Sequence, residues 1–315
     1  MSSYLISFLL LLACMLLYLS LARKYNILDI PNHRSSHVQA TVRGGGVVFP
    51  ISLLIAYFFS NFQNTYLLIA VFLLGVISFL DDIYTLPSRW RFMIQLIASI
   101  LVFYELDLSI SLWLYPLILF VTIGGINAYN FMDGINGMTA LYSVVLLGTL
   151  LWINQTVVFV DDLFISIPLL SVVLFSFFNV RKKAICFAGD VGSVSMALIV
   201  LFLLFQLVTV TQNPAYFILL LVYVLDAGIT IVRRKINGEN IFEAHRTHLY
   251  QRLAHDLKWS HLKISFTYAT VQLLLNLLVV WMVVDSSFSL LLAAIMVLVL
   301  SISYIFAYNM IHRAK

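Results

Sequence analysis

The 18 lysines and arginines of this 315-residue chain all fall in alternate gaps between its apolar segments, and the intervening gaps hold none. Basic residues collect in loops on the cytoplasmic side of a membrane, so this alternation specifies both the crossings and the side each loop faces. Apolar runs of about 15 to 22 residues recur along the chain, each near the length that spans hydrocarbon as a helix. With 62% hydrophobic and 10% charged residues, an ordinary soluble domain is excluded. The net charge of +4 says little about nucleic acid: the positive charge lies in loops, where anionic headgroups and phosphate ligands are the expected partners, and no nucleic-acid partner is expected.

The pattern predicts an all-α integral membrane protein, a bundle of about eleven transmembrane helices with the N-terminus outside and the C-terminus cytoplasmic. Arg23 and Lys24 follow the first apolar run and no base precedes it, the charge order of an uncleaved first helix. No linker or repeat divides residues 1–315, which read as one polytopic domain; residues 233–261 form the sizeable polar loop, on the inner side. Cys14 and Cys186 suggest neither a disulfide nor a metal cluster.

The inner gaps carry the chemistry. Asp81-Asp82 closes the third helix, where adjacent carboxylates repel and the helix dipole is unfavourable, so either a bound cation or solvation must stabilise them. Asn127, Asn130 and Asp133 are spaced to share a helix face, beside Gly134 and Gly137, and read either as a ligand site or as a polar turn. Gly189-Asp190-Val191-Gly192-Ser193 precedes the eighth helix as a phosphate cradle with a hard oxygen ligand for Mg²⁺, or as an N-cap. Asp226 lies inside the ninth helix, in register with Arg233, and reads as a structural partner for a base or for Thr230. Arg43-Gly44-Gly45-Gly46 and His245-Arg246-Thr247-His248 are cationic strings able to neutralise phosphate oxygens. His33, His37, His255 and His261 carry no assignment.

Together these strings resemble the polyprenyl-phosphate N-acetylhexosamine-1-phosphate transferases, the group that includes phospho-MurNAc-pentapeptide translocase and the initiators of O-antigen and other surface glycans. The resemblance runs from Asp29-x-Pro31-Asn32 to about Leu253, through Arg43–Gly46, Phe79-Leu80-Asp81-Asp82, Asn130-Phe131-Met132-Asp133-Gly134, Phe187-x-Gly189-Asp190-x-Gly192-Ser193 and the histidine loop. It implies a multi-pass enzyme of the bacterial inner membrane with its active site at the cytoplasmic face. The implied reaction moves N-acetylhexosamine 1-phosphate from a UDP-sugar to undecaprenyl phosphate, with release of UMP and dependence on Mg²⁺ or Mn²⁺. By the same resemblance Asp190 is the metal ligand, and Asp81, Asp82, Asp133 and His248 are catalytic. Asp81 acts either as base or as a positioning group. Asn130, Phe187, Arg43, Asn136, Arg246 and Arg252 bind substrate, with Phe187 stacking on uracil. Asn136 stands where many members have a second Asp, and His248-Leu249-Tyr250-Gln251-Arg252 keeps one histidine of a longer string. That short loop is more similar to the O-antigen initiators than to the peptidoglycan translocase, and it leaves GlcNAc, GalNAc, FucNAc and QuiNAc open as the sugar and a homodimer open as the assembly. A lipid or solute transporter accounts for the helices and the basic inner face, but its site belongs near the membrane midplane.

Overall fold

The computed structural model describes residues 2–31, 39–84, 86–107, 111–240, 246–284 and 288–313. Asn32, His33, His37 and His245, all named above, lie outside them. The chain begins with α1 (Ser2–Lys24), and two short strands, β1 (Leu28–Asp29) and β2 (Thr41–Val42), pair antiparallel with Leu28 opposite Val42. There follow α2 (Val48–Phe59), α3 (Thr65–Tyr84), α4 (Ser88–Glu105), α5 (Tyr115–Met132), α6 (Met138–Asn154) and α7 (Leu163–Asn179). The remainder is α8 (Gly189–Thr211), α9 (Leu221–Ile236), the short α10 (Leu249–His255), α11 (His261–Val284) and α12 (Leu290–Arg313).

Seven helical segments are long and apolar enough to cross a membrane, so this is a multi-pass membrane protein. Three further apolar helices, Gly45–Phe59, Met138–Asn154 and Leu163–Asn179, are shorter than that length. The fourth helix has 18 residues and carries Arg89, Arg91 and Glu105.

Burial follows composition. The α8 sequence is apolar on every face, and 89% of its span is enclosed by neighbours that include α2, α3, α5 and α6. The α12 span is as apolar but only 11% buried, which places it at the periphery. Where polar side chains enter the bundle they meet one another. Gln272 of α11 accepts from Tyr142 of α6 at 2.7 Å, and Asn276 donates to Thr149 at 2.9 Å, so an amide ladder joins the two helices.

Two expected boundaries move. The third helix runs past Leu80 to Tyr84, which puts Asp81 and Asp82 in its last turn. The eighth begins at Gly189, so Asp190 to Ser193 form its first turn and do not precede it.

Candidate active site

Glycine builds the junction on which the site rests. Gly44 sits at φ +80°, and the turn it makes sends the next two amides to a separate motif. Gly45 donates to the Phe187 carbonyl at 2.8 Å and Gly46 to that of Ala188 at 3.0 Å, while Phe187 donates to Val42. A Cβ on Gly46 would collide with Gly192, and one on Gly192 would collide with Gly46. Sequence reading gave these glycines to a ligand; here they let two motif backbones touch.

The acidic pair divides its work. Asp82 has a buried side chain paired with Arg43 at 2.7 Å, and it faces the Asp190 and Val191 amides that open α8. That carboxylate therefore takes the place at the helix start that the cradle reading gave to phosphate. Asp81 accepts from the Leu86 amide at 2.6 Å and pairs with Arg91 at 3.0 Å; Arg91 also comes within 3.9 Å of Asp190. Arg91 is thus a bridge between the second and fourth motifs, and no sequence string marked it.

Asn130 accepts from Ser193 at 3.0 Å, linking α5 to α8. Asp133 caps the end of α5 and accepts from Thr139 at 2.5 Å. Burial pushes its carboxyl up to about 7, against the Thr139 hydroxyl, with Asp190 adding to the rise and Arg43 opposing it. Asn127 belongs to none of this. Its amide pairs with Gln95 of α4 at 3.0 Å and donates to the Ile123 carbonyl, so the shared face narrows to Asn130 and Asp133.

A polar cavity of about 220 Å³ opens between these segments. Asp133 and Asp190 line it with Arg43, Asn136, Phe187 and Arg246, six of the residues expected at the site. Its other walls include Asp29, Asn179, Gln251, His255 and His261, none of which belongs to a motif string that gave it a role. Asn179 would have been hard to find: its side chain accepts from Gly137 at 2.7 Å and donates to Cys186 at 2.9 Å, holding two loops that are distant in sequence. Asn136 is both wall and brace, because its amide donates to the Arg181 carbonyl at 2.9 Å. Burial and the neighbouring charges of Arg246 and Lys258 hold His255 below the usual imidazole range.

Asp81, Asp82, Asn130, His248 and Arg252 do not line the cavity. His248 is buried and its Nδ1 meets Asp226 at 3.2 Å, while as the N-cap of α10 its backbone amide donates to the Gln251 side-chain oxygen at 3.2 Å. Asp226 is fully buried and also accepts from Tyr268 at 2.5 Å, Tyr304 at 3.0 Å and the Leu249 amide at 3.1 Å. Its structural reading holds, with a wider set of donors than Thr230 alone. Tyr250 carries the connection onward by donating to the Phe131 carbonyl at 2.9 Å, beside Gly134. Arg252 turns the other way, pairing with Asp256 at 2.9 Å and lying over the Tyr308 ring.

Among the described residues no three His, Cys, Asp or Glu side chains converge closely enough to hold a cation alone. Asp81 and Asp82 are each paired with an arginine, Arg91 and Arg43. The donor set at Asp190 still fits Mg²⁺, which commonly takes one or two carboxylates and completes its shell with substrate phosphates and water.

The fold and site together define a multi-pass, mainly helical membrane protein with an acidic and basic cavity at the ends of its helices. The model of glycosyl transferase family 4 matches residues 64–209 of the chain. It is 28% identical over 255 residues to a probable undecaprenyl-phosphate N-acetylglucosaminyl 1-phosphate transferase of Bacillus subtilis (strain 168), covering 74% of this chain and 71% of that one. It is also 26% identical over 277 residues to the phospho-N-acetylmuramoyl-pentapeptide-transferase of Enterococcus hirae, covering 76% and 83%. The same enzyme of Streptococcus pneumoniae serotype 19F (strain G54) is 27% identical over 285 residues, covering 79% and 86%. The resemblance carried by the motif strings is thereby borne out.

Proposed function

We propose that the protein transfers N-acetylhexosamine 1-phosphate from a UDP-sugar to undecaprenyl phosphate at the cytoplasmic face of the bacterial inner membrane, with Mg²⁺, to start a surface glycan such as O-antigen. In this reading all eleven long helices cross the bilayer, with the N-terminus outside. The observation that carries it is the pairing of two unlike spaces along one helix. Ala128 of α5 lines an apolar groove of about 660 Å³ beside α9 and α12, and Asp133 at the end of α5 lines the polar cavity. Five residues of helix separate them by about 7 to 8 Å. An isoprenoid tail can stay in the groove while its phosphate reaches a water-soluble nucleotide sugar.

The chemistry explains the cavity's charges. The diphosphate of a UDP-sugar and a lipid phosphate are both anions, and two unit charges 4 Å apart repel by about 4 kcal/mol at an effective dielectric of 20. Arg43 and Arg246 line the cavity, and Arg91 lies beside Asp190, placed to offset that repulsion. Asp190, with Asp133 nearby, would hold the cation, which when bound supplies charge neutralisation at the diphosphate. An oxygen of the lipid phosphate attacks the phosphorus bearing the sugar, the bond from that phosphorus to the UMP oxygen breaks, and UMP leaves. The acceptor is largely anionic at neutral pH, its second pKa being near 6, so the step needs little or no base. Asp81 and Asp82 then act by positioning: they hold Arg91, Arg43 and the start of α8.

A second reading, a phospho-N-acetylmuramoyl-pentapeptide transferase, has its own support in the relatives of that name; on that reading the donor is UDP-MurNAc-pentapeptide. One experiment separates these readings and the transporter. Purified protein in nanodiscs is given undecaprenyl phosphate, Mg²⁺ and each of a panel of UDP-N-acetylhexosamines and UDP-MurNAc-pentapeptide, and UMP is assayed. Release with a simple N-acetylhexosamine and not with the pentapeptide donor is expected. Asp190→Ala should lower that release by at least 100-fold, and EDTA should stop it until Mg²⁺ or Mn²⁺ is restored. Absence of UMP with every donor would end the reading as a transferase.

A further inference from the structure

Apart from the acceptor groove and the cavity, the outer face of α6 and α7 carries a groove of its own. This apolar groove, open along its length, runs between Leu141 and Val144 on one side and Val173 and Phe177 on the other. Phe177 is 63% exposed, so the groove faces whatever surrounds the bundle. At one end it stops at Arg181, followed by Lys182 and Lys183, and all three are exposed.

These cations have no carboxylate partner among the described residues, unlike Arg43, Arg91, Arg234 and Arg252, each of which has one. Arg181 uses its Nε to donate to the Phe177 carbonyl at 2.6 Å, which fixes the guanidinium against the end of α7. The basic end lies at the level of the polar cavity, since Asn136 in the cavity wall donates to the carbonyls of both Arg181 and Lys182. Apolar length below and unpaired positive charge at the headgroup level are the two halves of an amphiphile with an anionic head. Positive-inside topology needs basic charge in this loop, but it does not need a groove ending on it.

We propose that the α6–α7 groove is a binding site for an anionic phospholipid, with an acyl chain along Val144 and Phe177 and its phosphate on Arg181, Lys182 and Lys183. The site is separate from the acceptor groove at α5 and α9, and its lipid is not consumed. Because Asn136 hangs on the same backbone, an occupied headgroup site also braces one wall of the cavity.

The test titrates the protein in neutral detergent with phosphatidylglycerol or with phosphatidylcholine of the same chains, and native mass spectrometry counts the lipid retained. We expect one phosphatidylglycerol to be held at least tenfold more tightly than phosphatidylcholine. Arg181→Gln/Lys182→Gln/Lys183→Gln should abolish that preference, and Val144→Trp should block retention while leaving the basic triplet intact. Arg23→Gln/Lys24→Gln, which removes charge elsewhere, should change neither. Melting curves show whether each variant is folded, and UMP release, which fails if the transferase reading fails, is not needed for the result. Equal retention of both lipids, equal loss in the Arg23/Lys24 control, or stoichiometric displacement of phosphatidylglycerol by undecaprenyl phosphate would each overturn the proposal.

Discussion

Asp133 shows how one buried carboxyl couples site chemistry to stability. Its folded-state value near 7 stands above that of an unfolded aspartate, near 3.9. The folded protein therefore holds the proton more tightly, and the stability this contributes is full below about pH 4 and is lost as pH rises through 7. Asp133→Asn carries no such titration. The melting temperature of this variant should gain on the parent between pH 5 and pH 8, while transfer falls at every pH; a constant difference would contradict the assignment. Asp226 gives the opposite case, a buried carboxylate surrounded by donors. Leaving those donors without a partner costs about 3 to 5 kcal/mol for a buried pair, so Asp226→Leu should melt well below the parent and loosen the loop at His248. Proteolysis within residues 246–255 reads the second effect.

Elements meet here through glycine, and this sets what the chain's own letters could reveal. Gly192→Ala would drive a methyl group into Gly46, where the neighbour is backbone and has little room to yield. Overpacking of this kind typically costs about 1 to 3 kcal/mol. We expect Gly192→Ala to lower the melting temperature and the activity together, whereas Gly228→Ala, whose new Cβ meets nothing within 4 Å, should leave melting unchanged. The motif strings were legible because each packs its chemistry into a few consecutive residues: Asp190 and Asp133 stand out, and both face the cavity. What stayed hidden was pairing across long separations. Nothing near Arg91 announces its contacts with Asp81 and Asp190, and nothing near His255 or His261 marks them as cavity walls. The placement of His248 was missed for the same reason, since its partner Asp226 lies on another helix. The apolar segments themselves were legible, because uninterrupted apolar length needs no partner to be recognised, but their ends were not: α3 runs on to Tyr84 and α8 begins at Gly189.

For the whole molecule, the charge alternation makes a claim about sides. Single cysteines at Asp107, Gln155 and Gln212, all exposed, should react with an impermeant thiol reagent from outside intact cells, and cysteines at Arg89, Lys182 and Lys258 only after the membrane is opened. Reaction of Lys182 and Lys258 from opposite sides would break the common origin of the cavity's walls.

The enclosure of α8 also has a consequence for assembly. Four of the helices that sheathe it, α2, α3, α5 and α6, precede it in the chain, and after it the short turn Pro214–Leu220 adds to the sheath. As the polypeptide emerges, α8 can slide into a socket already standing, trading lipid for protein on nearly every side. A chain halted after Thr211 would then keep its first eight helices together and hold Asp190 against Arg43, while the wall bearing Arg246 and His255 is still unmade.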